Sequence, residues 1–169
     1  MRSIVFLSSI LLLFGCKSKS ISYSFIGKDE LHIFLNNWHQ SAAEAHFDGY
    51  FNAIADDGIF IGTDAKENWS KEQFKVFAKP YFDRGKAWNF KVIQRNIYFS
   101  KDQKIVWFDE LLTTQMKICR GSGVIQKTKD GWKIKHYVLS MTVPNENVDE
   151  VVKVKAKLED ILLDELVKK

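Results

Sequence analysis

The run from Ile105 to Val143, IVWFDELLTTQMKICRGSGVIQKTKDGWKIKHYVLSMTV, decides how the rest of the chain is read. Its alternation predicts three consecutive strands, over residues 105–114, 117–126 and 132–143. The breaks fall at Gln115-Met116 and at Thr128-Lys129-Asp130-Gly131, the second a strong turn signal. Side chains alternate between the two faces of a strand. In the first strand Ile105, Trp107, Asp109 and Leu111 share one face, and Val106, Phe108, Glu110 and Leu112 the other. Both faces are rich in apolar residues, so periodicity does not decide which is inside. Gly121 and Gly123 lie within the second strand, where glycines let a sheet bend sharply. Asp109, Arg120, Ser122 and His136 are the polar residues that a sheet of this kind would send into a pocket.

Upstream the period changes. Residues 29–45 carry Leu31, Phe34, Leu35, Trp38, Ala42 and Ala45 on one helical stripe, with His39 beside it at the edge. A short helix over 47–55 turns Phe51 and Ile54 inward, and Asp56-Asp57-Gly58 reads as its cap. Ile59 to Gly62 is a short strand, followed by a polar loop to Trp69. Ser70-Lys71-Glu72-Gln73 has capping-box form, which starts a third helix at Lys71 with Phe74, Phe77, Ala78, Tyr81 and Phe82 on its apolar face. Pro80 predicts a kink or an end near Lys79. Trp88 to Phe99 alternates again, and Ser100 to Gln103 reads as a hairpin turn. Beyond Pro144, Val148, Val151, Val152, Leu158, Leu162, Leu163 and Leu166 mark an amphipathic helix whose even mix of charges argues against membrane binding.

The first 27 residues stand apart. Arg2 precedes an apolar stretch from Ile4 to Phe14, too short for the ~20 residues that span a bilayer and of the form of an export signal. It ends in Leu13-Phe14-Gly15-Cys16, which resembles the lipobox of bacterial lipoproteins. That resemblance implies cleavage before Cys16, lipidation of Cys16 and a location in a bacterial cell envelope. Residues 16–27 then form a tether. Of the two cysteines only Cys119 would remain unmodified, which excludes an internal disulfide, and it reads as a small packed residue.

The 169 residues suffice for one domain, and 14% aromatic content suggests a core built on rings, often around a cavity. Net charge is +4, or +3 once Arg2 leaves with the signal, with no basic cluster interleaved with aromatics; nucleic acid is not an indicated partner. Asp56, Asp57 and Asp64 read as cap and turn residues, since a metal site would need more oxygen ligands at regular spacing. Zinc-type Cys/His spacing, a phosphate-cradling glycine loop and a nucleophile elbow are all missing from the sequence, so no metal or nucleotide cofactor is indicated.

Helices first, one short strand, a helix and four long antiparallel strands make an α+β arrangement: a curved antiparallel sheet wrapped as a cone around N-terminal helices, plus a C-terminal amphipathic helix. Trp38-His39, Tyr50-Phe51, Ala55-Asp56-Asp57, Gly62-Thr63-Asp64, Phe74, Phe77, Tyr81 and Trp107-Phe108-Asp109 occur in this order. Arg120-Gly121-Ser122-Gly123-Val124 and Gly131-Trp132-Lys133-Ile134-Lys135-His136-Tyr137 close the pattern. With these motifs the chain resembles the SnoaL-like branch of the nuclear-transport-factor-2-like superfamily over residues 28–143, leaving 144–169 as an extension. The resemblance implies a deep pocket between helices and sheet. Its members include isomerases, dehydratases, polyketide cyclases and many proteins without demonstrated activity, and they often dimerise through the sheet. Fold alone does not choose among these.

The resemblance turns Arg120, Ser122, His136, Asp109 and Trp107 toward that pocket, with Trp38 and Tyr81 facing them from the helices. Three readings follow. The first is a pocket that binds a small, partly apolar ligand, with Trp38, Tyr81, Trp107, Arg120 and Ser122 in contact. The second is cofactor-free acid/base chemistry by Asp109 and His136, whose pKa values burial would bring toward neutrality. The third is a homodimeric interaction module. A purely structural Arg120–Asp109 ion pair with a hydrogen-bonded His136 is the alternative to all chemistry there.

Overall fold

The computed structural model describes residues 26–168. The lipobox and Cys16 lie outside the described residues. The chain runs α1 (Ile26–Ala43), α2 (Phe47–Asn52), β1 (Ile54–Ile61), β2 (Asn68–Ser70), α3 (Lys71–Asp83), β3 (Lys91–Phe99), β4 (Ile105–Thr114), β5 (Lys117–Thr128), β6 (Gly131–Met141), a 3-10 turn (Asn145–Asn147) and α4 (Val148–Val167). One six-stranded sheet has the order β2-β1-β6-β5-β4-β3. All neighbours are antiparallel except β1, which runs parallel to β6. This is the expected α+β architecture, a curved sheet with helices on one face.

The register of the three long strands determines the inner face. Val106, Phe108, Glu110 and Leu112 of β4 stand opposite Ile125, Gly123, Gly121 and Cys119 of β5. All eight are buried. Cys119 is fully covered, as a small packed residue should be. Gly123 and Gly121 in turn stand opposite Tyr137 and Leu139 of β6. A Cβ on Gly121 would lie 2.2 Å from the Tyr137 hydroxyl, and one on Gly123 2.6 Å from the His136 carbonyl and 2.8 Å from the Phe108 ring. The two glycines thus make room for the rings of Phe108 and Tyr137 to lie across the sheet.

The helices fill the inside. Leu31, Leu35, Trp38 and Ala42 of α1 are buried at the expected spacing, and so are Phe74, Ala78 and Phe82 of α3. Trp38 stacks on Tyr50 with centroids 5.0 Å apart and meets Tyr137 edge-on at 4.8 Å. The capping box of α3 is complete: the Ser70 Oγ accepts from the Gln73 N–H, and the Gln73 side chain accepts from the Ser70 N–H. Pro80 does not end this helix, which continues to Asp83. The carbonyl that Pro80 leaves without a donor belongs to Val76, and Val76 lies on the solvent side, where water can serve it.

Three other expectations change. The second helix stops at Asn52, and Asp56-Asp57-Gly58 lies in β1. Gly58 is therefore no helix cap: a Cβ there would lie 2.6 Å from Ile54 and 2.8 Å from the Ala55 carbonyl, so glycine is needed for a close approach at a break in the β1–β6 register. The polar loop ends early because Asn68 to Ser70 pair with β1 as a short edge strand. Asp56 and Asp57 are held by lysines, Asp56 with Lys71 at 2.9 Å and Asp57 with Lys135.

Candidate functional site

Between β1, the loop 62–67, α3 and the β4–β5 turn lies a cavity of about 200 Å³. Its wall is mostly rings: Phe60, Trp69, Phe74, Phe77, Tyr81, Trp88 and Phe90, with Met116 and Leu139. Thr63, Glu67 and Gln115 supply the polar side chains. The rings support one another. Phe60 and Phe74 stack at 3.9 Å, and Trp69 and Phe77 at 4.4 Å. The spacing of α3 places Phe74, Phe77 and Tyr81 on one side at i, i+3 and i+7.

Behind this wall sits a buried ionic network. Glu110 is fully buried on the inner face of β4. One of its oxygens accepts the Tyr137 hydroxyl at 3.0 Å and lies 2.7 Å from His39 Nε2. The other accepts Arg95 Nε at 2.8 Å from the directly opposite position on β3. Arg95 Nη1 donates to the His32 carbonyl at 3.2 Å and to Asn36 Oδ1 at 2.9 Å. His32, Asn36 and His39 follow the i, i+4, i+7 stripe of α1, so one helix side serves the whole network.

Burial by itself would raise the Glu110 carboxyl, but the His39 hydrogen bond and charge, with Arg95, outweigh it and hold the group below the usual range. Burial, with the Glu110 charge beside it, pushes the Tyr137 phenol well above the tyrosine range. Glu110 is thus a saturated anion and Tyr137 a donor, a poor arrangement for taking a proton from a substrate. Aromatic rings also separate the network from the cavity. Phe90 lies 6.1 Å from the His39 ring, and Phe60 lies 5.5 Å from Tyr137. The network ties α1 to β3, β4 and β6.

The predicted site residues divide between three places. Tyr81 lines the cavity. Trp38 is core, 2% exposed and packed between Tyr50 and Tyr137. Asp109, Arg120, Ser122, Trp107 and His136 do come together, but on the outer face of the sheet. Asp109 stands opposite Ser122, Trp107 opposite Val124, and Val124 opposite His136. The Arg120–Asp109 pair is loose at 3.8 Å and half exposed, and Asp109 also accepts from Asn96 Nδ2 at 3.0 Å. Trp107 is exposed and stacks on Tyr98 at 6.0 Å.

For His136 the reason is a bulge in β6. Ile134 pairs with Ile125 and His136 with Val124, so Lys135 is an extra residue. Trp132 and Ile134 therefore face inward, His136 and Val138 outward, and Tyr137 and Leu139 inward again. Strict alternation puts Trp132, Ile134 and His136 on one face; Asp109 and Arg120, which the resemblance turned inward, face outward because their neighbours Glu110 and Gly121 take the inner positions of β4 and β5. His39, expected at the edge of its stripe, is 4% exposed and part of the network. Sequence reasoning missed Glu110, Arg95 and Tyr137. The readable signal was Glu110 itself, an acid in register with Val106, Phe108 and Leu112, opposite a glycine.

Among solved structures, an NTF2-like protein of unknown function from Pseudomonas putida KT2440 superposes with a TM-score of 0.61 at 13% identity, covering 73% of this chain and 92% of that one. An NTF2-like protein from Cytophaga hutchinsonii ATCC 33406 gives 0.57 at 14% identity, covering 68% and 98%. A protein of unknown function with a cystatin-like fold from Nostoc punctiforme PCC 73102 gives 0.57 at 12%, covering 70% and 93%. At these identities the likeness concerns the fold. No curated protein matches the chain. The sheet, its covering helices and the cavity between them agree with the sequence itself, in which residues 32–144 match the SnoaL-like domain: the chain belongs to the SnoaL-like family.

Proposed function

We propose that this chain binds a small, largely apolar molecule in its aromatic cavity, and does so as a lipid-anchored protein of a bacterial cell envelope. The carrying observation is the cavity wall of seven rings with three polar side chains, the composition of a site that takes an apolar body and orients it by a few polar groups. Its ~200 Å³ lies below the ~300–1,000 Å³ of drug-sized sites, so the ligand is compact. The outward placement of Asp109 and His136 and the saturation of Glu110 favour binding over acid/base chemistry. Trp69 and Trp88 in the wall provide the readout. A neutral aromatic probe such as 2-naphthol should perturb their fluorescence saturably, and Trp69→Leu should weaken its binding. Linear, unsaturable changes would refute the binding reading. For the anchor, Cys16→Ser should abolish acyl labelling in a bacterial host.

A second reading concerns the outer face. Tyr98, Trp107 and Ile118 are exposed there beside half-buried Val124 and Val138, an apolar patch of the kind that marks an interface. We propose that a second copy covers it. Sedimentation should give a dimer, and Trp107→Glu should give a folded monomer.

A further inference from the structure

We infer that the ligand carries an organic cation, an alkyl- or quaternary ammonium group, held by Trp69, Trp88 and the Glu67 carboxylate. This rests on the cavity being a binding site, as proposed above, and adds the chemical class. Among the described residues lining the cavity, Glu67 is the one charged side chain. No Lys, Arg or His lines it with Glu67. Aromatic rings present negative faces that attract cations, tryptophan most strongly. Tyr81 is partly engaged, since the Arg84 guanidinium lies 4.8 Å from its centroid. The two tryptophans are therefore the better platform. An anionic ligand would meet Glu67 with no countercharge in the wall, which selects against it.

Glu67 is held in place by its own loop. Gly62 N–H donates to the Glu67 carbonyl at 2.9 Å, and Glu67 N–H to the Asp64 carbonyl at 2.9 Å. Asp64 N–H donates to Glu67 Oε2 at 3.2 Å. The carboxylate folds back over Gly62, where a Cβ would stand 2.1 Å from Oε2. The adjacent Lys66 does not neutralise it, because Lys66 reaches Glu165 of α4 at 3.6 Å. A half-buried carboxylate among rings, with the neighbouring lysine turned elsewhere, is a site for a cation that arrives from outside.

The test compares choline with 3,3-dimethylbutan-1-ol, which has the same shape with a neutral carbon in place of the charged nitrogen. Calorimetry on the purified full chain should show choline binding about tenfold tighter than the alcohol. Glu67→Gln should bring the two affinities together while the circular dichroism stays that of the parent, and Trp69→Leu should weaken choline. Phosphatidylcholine vesicles, set against phosphatidylglycerol vesicles, separate a lipid headgroup from a soluble amine; binding in either form sustains the inference. Equal or tighter binding of the alcohol overturns it, as does binding of 2-naphthol without choline, and both leave the cavity a neutral apolar site. Failure of choline, the alcohol and 2-naphthol together overturns the binding reading as well.

Discussion

At the scale of single residues, Glu110 carries the most consequence. A fully buried carboxylate holding Arg95, His39 and Tyr137 cannot be removed without leaving buried donors and a charge uncompensated. Glu110→Gln should destabilise the protein by about 3–5 kcal/mol in urea unfolding. The pH dependence has a defined sign. The Glu110 carboxyl is lowered in the folded state, so the unfolded chain takes up the proton first as pH falls below its ordinary value of 4.5. The stability it contributes is present above that value and lost as pH falls through the lower folded one. The parent should therefore lose stability more steeply than Glu110→Gln across that acid window. At the other end, the raised Tyr137 phenol predicts loss of stability as pH rises beyond 10.0, where unfolded tyrosine ionises and the folded one resists. Gly121→Ala would place a methyl against the Tyr137 hydroxyl and the Glu110 side chain in a packed interior. A loss of about 1–3 kcal/mol is expected, read from the same denaturation curves.

At the scale of elements, the one-residue bulge at Lys135 decides that Tyr137, and not His136, is turned inward by β6. Its pattern could not be read from the sequence, because Trp132, Ile134, His136 and Val138 alternate without interruption and a bulge adds a residue without a compositional mark. Deleting Lys135 would remove the extra residue and leave Ile134 and Tyr137 inward and His136 outward, as regular alternation requires. The Tyr137 donor to Glu110 is thereby kept, so the deletion variant should still give a cooperative thermal transition. Helix α3 is the opposite case. Its start was legible, since Ser70 and Gln73 cap each other through local bonds that depend on nothing distant. Ser70→Ala should lower stability by about 1 kcal/mol, measured by chemical denaturation.

At the scale of the whole molecule, the domain and its extension are nearly independent. No residue of α4 is buried, and its tie to the body includes the exposed Lys66–Glu165 pair and Leu162 beside Ala65. A chain ending at Pro144 should keep its unfolding free energy to within about 1 kcal/mol. Among the described residues no helix is long and apolar enough to cross a membrane. Among the described residues the outer sheet face and the apolar stripe of α4 are large exposed apolar surfaces, and α4 meets the loop 62–67 beside the cavity through Leu162, Glu165 and Leu166.

What the sequence determined by itself is whatever local physics governs: strand and helix periods, the cap at Ser70, the glycines of the bent strand, the ring-rich core and the α+β class. The Asp109, Arg120, Ser122 and His136 cluster was legible as a set of neighbours, since cross-strand pairing follows from the two hairpins. Its side of the sheet was not, because inside and outside exchange with a single residue of register. Only the tertiary structure decided that Glu110 faces inward and that α1 supplies His39 to it from 71 residues away. Buried charge is selected by the partners that surround it, and those partners come from elements whose proximity no local pattern encodes.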